Sequence, residues 1–239
     1  MTYHPTDLSL GNMATLTSYL FVVIAVFLGY AIHQNPLITG RRTGISHDGL
    51  DISTSFAPLD DELLTMKDAI GEDFDAYRNH CLRVLTFTKH FLPDSVEQEI
   101  PKAMEFVGVA LAHHDAALWT EKQLAYLEPS AKHLDAKKDD YTDEEIALMK
   151  DIVMYHHKAT DFHSSRSRAA DALVNAVRKA DWTDASMGVV RFGLPAVLLE
   201  AAYDSIPESG FHMVLNDFPP KLSPDSLFGQ LDVLKIFKW

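Results

Sequence analysis

An apolar helix that runs into ionisable side chains constrains this chain more than any other feature. Val107-Gly-Val-Ala-Leu-Ala-His-His-Asp-Ala-Ala-Leu-Trp119 is free of charge until His113-His114-Asp115. Ile100, Met104, Val107 and Leu111 recur at helical spacing, and His114 continues their stripe. A core-facing stripe is buried, and an ionisable group buried bare is strongly disfavoured. The fold must therefore bring partners to this point. A divalent cation is one partner that satisfies both a neutral imidazole and a carboxylate. The competing reading is a helix C-terminus whose histidines meet the last carbonyls. That accounts for one histidine but not for Asp115, which is disfavoured at the negative end of a helix dipole.

Size and composition narrow what else is possible. A chain of 239 residues holds one well-cored domain plus an appendage. Its 47% hydrophobic and 23% charged residues describe a globular body and not a disordered one. The net charge of −13 leaves no electrostatic footprint for nucleic acid. One cysteine, Cys81, excludes an intrachain disulfide and a thiolate zinc site. Any metal site must then use the carboxylates and the 12 histidines.

Along the chain, residues 16–32 form an uncharged apolar stretch with Tyr19 and Tyr30 near its ends, followed by Arg41-Arg42. As a helix it would span about 25 Å at about 1.5 Å per residue, the lower limit for a bilayer. With no Lys or Arg before it, the positive-inside rule places the C-terminal body in the cytoplasm behind a single-pass anchor. A buried core helix is the main alternative. A cleaved signal lacks its basic leader here. Residues 34–58, punctuated by Asn35-Pro36, Thr39-Gly40 and Asp48-Gly49, read as a linker.

From residue 59 to 206 the pattern is helical throughout, so the fold class is all-α. The spacing predicts helices over 63–70, 73–92, 166–185 and 194–203, and one from the capping box at Thr142 and Glu145 through His156. A helix holding Gln123, Leu124 and Leu127 is expected to stop at Pro129. Residues 207–239, rich in Pro and Phe, read as a tail packed on the domain.

Three further places carry ionisable groups on or beside apolar faces. His80 lies between Tyr77 and Val84, where an ordinary interior histidine is the simpler reading. Asp181 lies beside Leu173, Val177 and Ala180, where an aspartate is usually salt-bridged. His156-His157-Lys158 follows Met149 and Val153 and reads either as an exposed helix end or as a ligand and phosphate-contacting group. His133 sits in a charged, turn-like segment that argues against a ligand role.

His80, His114-Asp115 and Asp181, in that order on separate helices, resemble the H…HD…D motif of the HD superfamily of metal-dependent phosphohydrolases. The resemblance covers roughly residues 60–205. It implies an HD-type helical bundle around one or two divalent ions (Mn, Mg, Fe or Zn). His80, His114, Asp115 and Asp181 would hold the first ion, and His156 would serve a second. Asp115 and His157 would be catalytic, with a metal-activated water attacking a small phosphorylated substrate such as a nucleotide. Among the nearby cations Arg78, Arg83, Lys158, Arg178 and Lys179, the resemblance assigns Lys158 and Arg83 to the substrate. The chain departs from many relatives at Leu118, where a charged residue that assists proton transfer is common, and it lacks a downstream Gly-Tyr-Pro signature. Two alternatives share the scaffold. One is a di-iron oxygenase using His133 and His156. The other is a membrane-tethered domain that keeps its ligands for stability alone.

Overall fold

Periodic apolar faces become helices throughout the computed structural model, which describes residues 29, 31–33, 35–41 and 43–238. The elements are α1 (Pro36–Thr39), α2 (Ala57–Thr65), α3 (Lys67–Ile70), α4 (Phe74–Phe91), α5 (Asp94–Glu99), α6 (Ala103–His113), α7 (Ala117–Thr120), α8 (Leu127–His133), α9 (Asp143–Tyr155), α10 (Arg168–Ala185), α11 (Ala196–Ser205), α12 (Phe211–Leu222) and α13 (Leu227–Gln230). Short 3-10 turns join several of them, and no strand occurs among the described residues. Of the apolar stretch 16–32, all but Gly29, Ala31 and Ile32 lie outside the described residues. Among the described residues, no helix is long and apolar enough to cross a membrane.

The core forms where α4 and α10 pack along each other and α6 lies against α2 and α9. Tyr77, Cys81, Val84 and Leu85 of α4 are fully buried, as their helical spacing predicts. Leu173, Val174 and Val177 of α10 are buried as well, and so are Val107 and Leu111 of α6. Helix α4 stops at Leu92, whose extended conformation is the one favoured before proline, and Pro93 follows. Helix α9 starts on its capping box. The amide of Glu145 donates to Thr142 Oγ1 at 3.3 Å, and the amide of Thr142 donates to Glu145 Oε2 at 2.8 Å.

Two segments differ from their sequence reading, and a third, the tail, packs on the body as read. Pro129 does not stop a helix. It lies in the first turn of α8, where a missing N–H leaves no hydrogen bond unmade. The stretch read as a linker lies along the body. The Asn35 amide donates to the Met187 carbonyl at 2.7 Å, Thr43 Oγ1 donates to Glu200 Oε2 at 2.6 Å, and the Ser53 amide donates to Thr86 Oγ1 at 3.1 Å. The tail has defined structure. It forms α12, with Phe211 and Phe218 buried, and then turns back so that the Ala159 amide donates to the Lys238 carbonyl at 2.8 Å.

The cap of α9 lies at the opposite end of that helix from His156 and His157, so it isolates fold stability. Thr142→Ala removes one side of the capping box and should cost about 1 kcal/mol in urea denaturation. A cost indistinguishable from zero would mean that the cap does not hold this helix.

Candidate metal centre

Four helices bring the ionisable groups to one point. His80 comes from the middle of α4, and His114 and Asp115 from the turn after α6. His156 and His157 follow the end of α9, and Asp181 lies near the end of α10. His80, His114, Asp115, His156 and Asp181 are all buried.

Hydrogen bonds fix how three of the rings face. His80 Nδ1 lies 2.7 Å from Asp184 Oδ2, His114 Nδ1 lies 2.6 Å from the Leu111 carbonyl, and His156 Nδ1 lies 2.7 Å from the Val153 carbonyl. A carboxylate and two carbonyls can only accept, so each Nδ1 carries the proton and donates it. Each Nε2 is then the nitrogen with a lone pair, and all three face inward. His80 Nε2 and His114 Nε2 are 3.1 Å apart. Two bare lone pairs at that distance repel, so a proton or a cation must lie between them. This is the arrangement by which outer hydrogen bonds orient metal-ligating histidines.

The carboxylates complete the shell. Asp115 Oδ2 lies 3.3 Å from His114 Nε2, and Asp115 Oδ1 lies 3.3 Å from His156 Nε2. Asp181 Oδ1 lies 3.4 Å from His80 Nε2 and 3.7 Å from His114 Nε2, and its Oδ2 lies 3.3 Å from His157 Nδ1. Ligands about 2.0–2.2 Å from a metal stand about 3.0–3.5 Å from one another, which is close to these spacings. Asp115 Oδ1, His156 Nε2 and both Asp181 oxygens are buried without a hydrogen-bond partner among the described residues. Unsatisfied buried acceptors of this kind are what a cation would satisfy. Three overlapping groups each fit an ion: His80–His114–Asp115, His114–His156–Asp181 and Asp115–His156–His157.

Protonation follows from the same contacts. Burial opposes charge on His80, but Asp181 and Asp184 outweigh it and raise its pKa to about 9. For His114, burial prevails over the pull of Asp115 and, with His156 and His80 beside it, lowers the pKa to about 4. Burial and then His156 lower His157 to about 3. Burial works against the charge of Asp115 and Asp181, yet the surrounding imidazoles hold both below the ordinary carboxylate range. His156 is raised too, since Asp115 and Asp181 outweigh its burial. The group thus offers ionised carboxylates, two imidazoles held neutral and two, His80 and His156, whose protons stand where a metal would bind.

The chain matches no known protein family, no curated protein and no solved structure. The findings therefore support an all-helical protein with a buried His/Asp cluster able to hold a metal ion, an arrangement not specific to one superfamily.

Every ligand expected from the sequence joins the cluster: His80, His114, Asp115, Asp181 and His156. His157 stands at its edge, with Nε2 2.7 Å from the Tyr126 hydroxyl. His133 does not join. Its Nε2 lies 2.7 Å from Glu121 Oε1 on the neighbouring surface. His113 points away as well, with Nε2 3.2 Å from Glu62 Oε2, because adjacent helical residues diverge by about 100°.

The substrate contacts expected of Arg83 and Lys158 do not correspond to their places. Arg83 is fully buried three residues after His80 and faces α10. Its Nε and Nη2 donate to Asp184 Oδ1 and Oδ2 at 2.6 and 2.9 Å, and its Nη1 donates to the Pro207 carbonyl at 2.8 Å. The guanidinium is thus committed to Asp184. Lys158 is half-buried, and its backbone carbonyl accepts from Arg178 Nη1 at 3.2 Å. Neither residue lines the cavity of about 270 Å³ that opens beside His80, Asp115, His157 and Asp181.

Sequence reasoning missed Asp184, Tyr77 as an anchor, and Tyr126. Asp184 was legible in principle, since it lies three residues after Asp181 on the same helical face. The Tyr77 hydroxyl lies 3.2 Å from the carbonyls of Leu111 and Ala112 and accepts from the Asp115 amide at 3.1 Å, so it holds the turn that presents His114-Asp115.

Arg83→Met keeps much of the side-chain volume but leaves the Asp184 carboxylate buried without its cation. Removing one partner of such a pair costs about 3–5 kcal/mol. Urea denaturation of the metal-free protein should show a loss of that order, and a loss below about 1 kcal/mol would mean that the pair is not integral to the core.

Proposed function

We propose that this chain is a metal-dependent hydrolase of the HD type that cleaves a small phosphate ester. The observation that carries the proposal is the convergence of three inward Nε2 lone pairs with Asp115 and Asp181 beside a cavity. His80, His114, Asp115 and Asp181 hold a first divalent ion in this reading, and Asp115, His156 and His157 hold a second. When bound, such ions polarise a phosphoryl oxygen and lower the pKa of water. Asp184 keeps His80 in the ligating tautomer, and Tyr77 holds the turn that carries His114 and Asp115. In this reading His157 keeps its Nε2 proton on the Tyr126 hydroxyl, which leaves Nδ1, the atom turned to Asp181, to meet the ion.

Charge supports the same reading. With neutral histidines, Asp115, Asp181 and Asp184 against Arg83 leave two negative charges in the buried group. One divalent ion neutralises them, and a second leaves two positive charges for a phosphate dianion.

A second reading has its own support. Four imidazoles and two carboxylates also form a shell suited to iron. His133, expected to serve an oxygenase, is outside the cluster, but His157 stands at its edge instead. Metal analysis of aerobically and anaerobically purified protein separates the readings. Two irons with no phosphate release would favour the oxygenase.

Asp115→Ala should lower metal affinity by at least about 100-fold, since Asp115 faces both halves of the shell, while His133→Ala should stay within about twofold of the parent. Equilibrium dialysis with elemental analysis reads both, and full metal retention by the Asp115 variant would remove the proposed ligand set.

The pH dependence of metal uptake has a definite sign. His80 holds its proton up to about pH 9 in the metal-free protein, so binding below that pH must release it. Apparent affinity should rise at least about tenfold per pH unit between about pH 6 and about pH 8, since His156 is raised as well, and flatten above about pH 9. A competition titration against a chelator of known proton affinity measures the slope, and an affinity independent of pH would mean that the metal does not displace this proton.

A further inference from the structure

The cavity beside the cluster has a floor and walls of opposite character. Its floor is the ionisable group of His80, Asp115, His157 and Asp181. Its walls are apolar: Leu124 and Trp182 on one side, and Phe211, Leu215, Phe218 and Val233 contributed by the tail. No described residue lining it is a lysine or an arginine. A site that receives a di- or triphosphate needs cations spread along the chain of phosphates, and these walls supply none. Apolar walls reward an apolar ligand body in proportion to the area taken from water.

Size sets the second limit. The cavity volume is about 270 Å³. A dry apolar cavity of about 150 Å³ takes a benzene ring, so this one has room for about one such ring together with a phosphoryl group. A base, a sugar and several phosphates together exceed it.

Resting on the hydrolase reading above, we propose that the substrate is a phosphate monoester of a compact, uncharged, apolar alcohol or phenol, and not a nucleotide. The phosphoryl group meets the ions on the floor, and the apolar body fills the space between Leu124, Leu215, Phe218 and Val233. In the reaction the oxygen of water forms the new P–O bond while the P–O bond to the apolar group breaks. The bonding pair leaves on the alcohol oxygen, which takes the proton given up by water, so the products are the free alcohol and inorganic phosphate. The tail thereby sets specificity, since it supplies most of the apolar wall.

The test uses the full chain loaded with Mn(II) and two readouts. The first is calorimetric binding of phenylphosphonate, inorganic phosphate and AMP. Phenylphosphonate should bind at least tenfold more tightly than either of the others. Val233→Trp, which grows into the cavity from a half-buried position, should abolish that advantage and leave the affinity for inorganic phosphate within about twofold. Val233→Arg, which adds a cation to the wall, should shift the preference towards AMP and serves if the first variant does not fold. AMP binding as tight as phenylphosphonate, or a phenyl group that adds nothing over phosphate, overturns the substrate class.

The second readout is phosphate release from phenyl phosphate, benzyl phosphate, AMP and dATP, where the aryl and benzyl esters should exceed the nucleotides at least tenfold in kcat/KM. Faster release from nucleotides overturns the class and leaves the hydrolase reading standing. Tight phenylphosphonate binding with no release from any ester overturns the hydrolase reading, and the monoester proposal falls with it, while the apolar pocket stands.

Discussion

Three buried imidazoles turned towards one another form the constraint on which the rest of this structure depends. Each is turned by its other nitrogen: Asp184 takes the Nδ1 proton of His80, and the carbonyls of Leu111 and Val153 take those of His114 and His156. The last two acceptors lie three residues before the histidine in the chain, at the frayed C-terminal turns of α6 and α9, where carbonyls lack helical partners. A helix end is therefore a natural place to fix an imidazole in one tautomer. The cost is a set of lone pairs that cannot be satisfied by protein atoms alone. A proton on His80 is the least that relieves it, and a metal relieves it more completely. Fold and ion binding are thus coupled through the same few atoms.

The Arg83–Asp184 pair carries that constraint outward to the tail. Asp184 uses both carboxylate oxygens on His80 and Arg83, and its backbone carbonyl accepts from the Tyr203 hydroxyl at 3.3 Å and from His212 Nε2 at 3.0 Å. Arg83 in turn bonds the carbonyls of Ile206 and Pro207, where the chain leaves α11. Phe211 then stacks on the His80 ring with centroids 4.0 Å apart. The start of the tail is therefore positioned by the same groups that orient His80. An apolar segment placed this way becomes a wall of the cavity and not a loose appendage.

Much of the centre was legible because helical spacing puts His80, His114 and Asp181 on faces that must be buried, and buried ionisable groups must meet. Where the meeting happens was not legible, since nothing local says which face packs on which. Arg83 shows the difficulty. Its spacing from His80 indicates the core, but a cation near a suspected phosphate site also reads as a substrate contact, and only the position of Asp184 decides between them. Pro129 was misread for a local reason: the same ring that breaks a helix interior is well placed in a first turn, and sequence alone did not locate that turn. The tail carried no clear period because α12 contains Pro219 and Pro220 and is followed by short turns that rest on the rest of the body.

The placement of charge bears on the order in which ligands would arrive. Without metal, the floor of the cavity is an anionic group inside an acidic chain, and its walls hold no lysine or arginine among the described residues. A phosphate dianion meets repulsion there and has no cation to offset its loss of water. Arg83, the guanidinium nearest the floor, is already neutralised by Asp184. On the proposed reading, affinity for the anion must then be created by the ions themselves, so the metal precedes the substrate. An apolar body adds binding in either state, because its attraction to Leu215, Phe218 and Val233 does not depend on charge. Recognition thus divides between two parts of the chain: the helical centre governs whether a phosphoryl group binds at all, and the tail governs which group it may carry.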